Sequence, residues 1–74
     1  MARGDIKEHA DNIFNAGCYN VGGASNGVPS SYGILIVFNT GAWYDTIQIY
    51  FGFSSKKASY RIHQSTWSDW VDLN

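Results

Sequence analysis

Charge is scarce in this sequence. Only 15% of its 74 residues are Asp, Glu, Lys or Arg, and the net charge is -1. Ordinary soluble domains carry roughly 25%. With no basic surplus to neutralise phosphates, a charged nucleic-acid-binding face is excluded. Cysteine is scarcer still: Cys18 stands alone, so no intrachain disulfide can form. His9 and His63 lie far apart in sequence, and there is no paired-cysteine motif, no His-x-His and no Asp-rich loop. No metal or cofactor is therefore expected. No apolar run approaches the roughly 20 residues that span a bilayer. The start, Met1-Ala2-Arg3-Gly4-Asp5, lacks the apolar core of a signal peptide. With a single proline, Pro29, and few charges, the chain does not read as disordered.

What is present is apolar and aromatic. Hydrophobic residues make up 45% of the chain and aromatics 16%. The length allows one domain. A domain this small buries only about 60% of its unfolded surface. Its core rarely supplies more than ~3–5 kcal/mol without a disulfide, a metal or partner chains. Oligomerisation is the staple the composition contradicts least, since interface cores lose charge and gain Tyr, Trp and Phe. A monomer with a dense aromatic core remains the alternative.

The organisation is that of a β protein. Residues 1–16 are the only helix-compatible stretch. Asp5 and Glu8 approximate a capping box, and Ile6, Ala10, Ile13 and Phe14 form one helical stripe. Asp11, Asn12 and Asn15 are weak helix formers, which leaves a short turn as the other reading. Cys18 to Val21 is a short β-prone run, and 22–31 is a loop by its Gly, Ser, Asn and Pro content. Tyr32 to Asn39, YGILIVFN, is apolar on both faces, which predicts a strand covered on both sides. Thr46 to Phe53 alternates: Ile47, Ile49 and Phe51 share one face, and Thr46, Gln48 and Tyr50 the other. Residues 54–57 read as a hairpin tip. In the next strand Ser59, Arg61 and His63 oppose Ala58, Tyr60 and Ile62. Trp70 to Leu73 is a last short strand. Turn signals every eight to twelve residues predict a mainly β fold, a small antiparallel meander sheet or sandwich with a short N-terminal helix or turn.

Catalytic chemistry is weakly represented. Cys18, His63 and Asp69 or Asp72 are the residue types of a nucleophilic set. Cys18, however, reads as an inert strand thiol, and His63 as a surface residue on a polar strand face. The six acids lie mostly at the chain ends, which does not suggest a paired-carboxylate site. No catalytic residues are assigned. Arg3-Gly4-Asp5 matches an adhesion tripeptide by chance or as an expression remnant. The aromatics say more. Trp43 and Tyr44 beside Asp45 make a candidate sugar platform, in which ring faces stack and polar neighbours hold hydroxyls. Core or neighbour packing is the commoner fate of such residues. Trp67 and Trp70, three apart, would face opposite sides of an extended chain. Arg61 is placed to stack on a tryptophan as a cation–π pair.

Tyr60-Arg61, a six-residue gap and then Trp67-Ser68-Asp69-Trp70 resemble the C-terminal signature of pyocin-knob-type domains. These are small modules of phage tail fibres and related phage-tail-like bacteriocins. Gly17-Cys18-Tyr19-Asn20-Val21 looks like the family's opening strand. Asn26-Gly27-Val28-Pro29 looks like its loop, and 32–37 like its central strand. The likeness covers about residues 10–74, with residues 1–9 read as an N-terminal lead-in or expression remnant. The resemblance implies a homotrimeric, non-catalytic module made in the host bacterial cytoplasm. It would be carried on the virion tail fibre and would recognise a bacterial cell-surface glycan. Tyr60, Arg61, Trp67 and Trp70 would be architectural. A structural trimerisation or capping module is the second reading. A carbohydrate-binding accessory domain of a bacterial enzyme is a third.

Overall fold

A computed structural model describes residues 2–6, 9–22, 27–39 and 45–73, without the side chains of residues 2 and 3. The chain is mainly β. Among the described residues seven strands form one sheet: β1 (Ala2–Asp5), β2 (Gly17–Val21), β3 (Gly33–Asn39), β4 (Thr46–Gly52), β5 (Ala58–Gln64), β6 (Thr66–Trp67) and β7 (Val71–Asp72). β1 to β6 lie side by side in chain order, and β7 also pairs with β5. The expected meander holds from β2 onward, where every pairing is antiparallel. β1 departs from it by pairing parallel to β2 at the sheet edge.

The N-terminal alternatives resolve to the turn. Among the described residues of this stretch only Ala10–Asn12 is helical, a single 3₁₀ turn, and His9 Nδ1 caps it by accepting from the Asp11 N–H. Asp5 is a strand residue rather than a cap. Its carboxylate accepts from Asn20 Nδ2 at 2.8 Å. The weak helix formers and the competing strand pairing explain the loss of the helix. The apolar stripe is still buried: Ala10 and Ile13 lie in the core, with Ile6 packed against it.

Pairing aligns the strands into rows. On one face Leu35, Tyr50, Ser59 and Asp72 lie across from one another, and so do Val37, Gln48 and Arg61. This inner face is covered by residues 9–14, the loop around Val28 and the Trp67–Trp70 segment. On the opposite, outer face lie Cys18, Ile36, Ile49, Tyr60 and Val71 in one row. Phe38, Ile47 and Ile62 form another.

The alternation of β4 and β5 therefore runs polar side inward. Thr46 and Gln48 are fully buried, whereas Ile47 and Phe51 are exposed. His63, expected on the surface, is buried against Phe14 and Trp67 at ring separations of 5.0 and 4.9 Å. The cause is the cover. An irregular segment cannot satisfy its own carbonyls, and buried carbonyls need donors. Inner-face side chains supply them. Gln48 Nε2 donates to the carbonyls of Ala10 and Ile13 at 2.8 and 3.0 Å, and Asn39 Nδ2 donates to that of Phe14. Tyr50 Oη donates to that of Ser30 at 2.9 Å. A helical lid would bond internally and would accept an all-apolar face beneath it. Among the described residues no helix is long and apolar enough to cross a membrane.

Candidate functional site

Two polar assemblies stand on the inner face. The first is centred on Arg61, which β5 points into the core. Its guanidinium lies 4.2 Å from the Trp67 ring centroid and 4.7 Å from that of Trp70. Nε donates to Gln48 Oε1 at 2.9 Å, and Nη1 is 2.9 Å from Asp11 Oδ1. Nη2 is buried without a hydrogen-bond partner. Burial pulls the Arg61 pKa below its ordinary value, while the hydrogen bond and charge of Asp11 act to raise it. A guanidinium nevertheless stays charged in proteins.

Both tryptophans face the same side, against the expectation that they would oppose. Trp67 pairs with His63, but Val71 pairs with Tyr60, so the register slips by one residue between them. Such a bulge re-aims the side chains beyond it. It turns Trp70 onto the face of Trp67. Trp67 Nε1 then donates to the Asp11 carbonyl and Trp70 Nε1 to the Gly27 carbonyl, each at 3.0 Å. The cluster fastens the N-terminal segment, the 27–30 loop and the C-terminus to β4 and β5. Of the four signature residues, Arg61, Trp67 and Trp70 act inside this cluster. Tyr60 is on the outer face, opposite Ile49.

The second assembly is a cavity of about 260 Å³ at the far end of the same face. It is lined by Pro29, Ser30, Tyr50, Ser55, Lys57, Ser59 and Asp72. Strand register brings Tyr50, Ser59 and Asp72 into one row. The hairpin tip supplies Ser55 and Lys57. Asp72 Oδ1 accepts from Ser59 Oγ at 2.9 Å, which fixes the carboxylate at the rim. The lining offers hydroxyls, one carboxylate and one ammonium, a donor–acceptor set suited to a polyhydroxylated ligand. No local sequence pattern marks this cavity, because its residues are drawn from segments up to 43 positions apart. Only the pairing register assembles them.

Of the predicted sugar platform, Trp43 and Tyr44 lie outside the described residues. Asp45 is exposed just before β4, at the end of that strand opposite the cavity. The structure does not bring it together with the cavity residues. The nucleophilic set does not assemble either: Cys18 is on the outer face and His63 on the inner. Among the described residues no group of three His, Cys, Asp or Glu converges as a metal site. Comparison with family models, curated proteins and solved structures finds no match.

Proposed function

We propose that the chain is a non-catalytic knob module of a phage tail fibre, or of a related phage-tail-like bacteriocin, that recognises a bacterial surface glycan as a homotrimer. The cavity lined by Ser30, Tyr50, Ser55, Lys57, Ser59 and Asp72 carries this reading. At about 260 Å³ it is smaller than the roughly 300–1,000 Å³ sites that engulf drug-sized ligands. It suits one sugar ring or the end of a chain. Carboxylate and ammonium at one rim address neighbouring sugar hydroxyls by charge-assisted hydrogen bonds. Binding by so small a site is weak. Linking copies in a fibre raises avidity by ~10²–10⁴ without any new contact.

The second reading, a structural trimerisation or capping module, is favoured by one observation. Arg61, Trp67 and Trp70 make contacts within the chain, which supports an architectural role for these three signature residues.

Adsorption of the purified protein to host cells, together with a glycan array, tests the proposal. Asp72→Asn and Lys57→Ala are each expected to weaken binding about 10-fold or more with an unchanged circular dichroism spectrum, since a hydrogen bond to a charged group contributes ~1.5–3 kcal/mol. Trp43→Ala and Tyr44→Ala separate the two readings. Lost adsorption with an intact oligomer supports glycan binding, and lost assembly supports the structural module. A wild-type oligomer that adsorbs to no cells of its host removes the receptor role.

A further inference from the structure

The YGILIVFN pattern predicts a strand covered on both sides, and the described residues cover only one. On the outer face Phe38, Ile47, Phe51 and Ile62 keep between 38% and 53% of their surface exposed. They lie across neighbouring strands, so the patch is continuous. β2 to β5 place no Asp, Glu, Lys or Arg on this face. Monomers rarely expose a contiguous apolar patch of several hundred Å² without a use for it.

We propose that this outer face is a self-association interface, packed against the same face of another copy of the chain. Like face on like face is a two-fold contact, so the inference goes beyond the threefold reading above and rests on neither its trimer nor its glycan part.

Three observations favour a second copy as the occupant. The first is area. The molecule measures 32 × 25 × 18 Å, and six strands at about 4.8 Å spacing account for the 25 Å dimension. The seven-residue strands β3 to β5 run about 24 Å at a rise of about 3.4 Å per residue, so the sheet presents a footprint of roughly 600 Å² per copy. Two copies bury about 1,200 Å², which reaches the lower bound of stable specific interfaces. The second is charge. The β2 to β5 part of the face, with no charged group of its own, offers nothing to a polyanion or an acidic lipid headgroup, and the one described carboxylate at its β1 edge, Asp5, is held by Asn20; an identical face matches it. The third is shape. Hollows of about 220 and 440 Å³ flank Cys18, bordered by Ile34 on one side and by Ile36 and Phe38 on the other. Phe51 projects from the same face. One surface thus holds both projection and recess, as a self-complementary contact requires. Two sheets meeting face to face interdigitate at about 10 Å separation.

Molar mass in solution, followed over a micromolar concentration series, tests the inference on the wild-type protein. Ile47→Lys and Phe38→Lys are the variants. Both positions are already exposed, so in the separated chain the new ammonium reaches water. Each substitution is expected to raise the self-dissociation constant about 30-fold or more, the effect of losing an interface hot spot of 2 kcal/mol. The near- and far-ultraviolet circular dichroism of the separated chain should not change. Cys18, in the row of Ile36 and Ile49, gives a readout without mutation. Its alkylation should slow at least about 10-fold as wild-type protein associates. A wild-type chain that stays monomeric throughout, whether free or taken up by lipid vesicles, overturns the inference. So does an oligomer that neither substitution dissociates. A dissociable oligomer that adsorbs to no cells supports the interface and counts against the glycan reading.

Discussion

Arg61→Ala is expected to remove a large part of the folding stability of the domain. The ion pair with Asp11 is the smaller part of the effect, because that carboxylate is half exposed and solvent screens it. The larger part comes from the core. The guanidinium stacks on two indoles, contacts that each contribute about 0.5–2 kcal/mol. Its removal leaves Gln48 Oε1 buried without its donor, at a cost of about 1–3 kcal/mol. It also opens a cavity between Trp67 and Trp70. Together these reach roughly 4–6 kcal/mol. A chain of this length has a total stability of about 4–11 kcal/mol. Thermal melting should show a midpoint lowered by about 15 °C or more, or no cooperative transition. Arg61→Lys keeps the charge but loses the planar stack and the Nε donor, and it should fall between the two. Gln48→Leu with Arg61→Leu should lose at least about 1 kcal/mol less than the sum of the single changes, because both remove the same hydrogen bond. An Arg61→Ala protein that melts within a few degrees of the wild type would refute this account of the core.

Gly33→Ala carries the second large effect. Gly33 pairs with Gly52 at the end of β3 and β4 that abuts the cavity. A methyl group there would lie far inside contact distance of the Phe51 carbonyl oxygen and the Tyr50 ring. The carbonyl belongs to the paired strand, and the ring is fully buried with its hydroxyl bonded to Ser30. Neither can retreat without parting β3 from β4, so a loss of about 3 kcal/mol or more is expected, at the upper end of overpacking. Gly52→Ala is the control. Its methyl would meet the hydroxyls of Ser30 and Ser55, ends of short side chains that can rotate away. That change should cost about 1 kcal/mol or less. Urea denaturation of the pair decides the matter: equal losses would show that the Gly33 contact relaxes.

Several elements were legible in the sequence. The YGILIVFN run, the alternation of 46–53 and the polar tip at 54–57 became β3, β4 and the β4–β5 turn, because period-2 patterning and turn chemistry are local properties. The Arg61–tryptophan stack was legible as a residue pairing. The position of Trp70 was not, because a one-residue bulge leaves no mark in composition. The cavity was not legible either, since Ser30, Tyr50 and Asp72 meet only through register and loop closure.

The sequence by itself determined β3, β4 and β5 and which residues of β4 and β5 share a face. Alternation along an extended chain forces Thr46, Gln48 and Tyr50 to one side and Ile47, Ile49 and Phe51 to the other. Which side lies inside was decided only by the tertiary structure. The cover over the sheet is an irregular segment whose carbonyls need donors, and Gln48, Tyr50, Trp67 and Trp70 provide them. The polar face is therefore drawn inward, and the isoleucines and phenylalanines are left outside. The scarcity of charge follows the same division: β2 to β5 direct their one charged side chain, Arg61, into the core and none to the outer face.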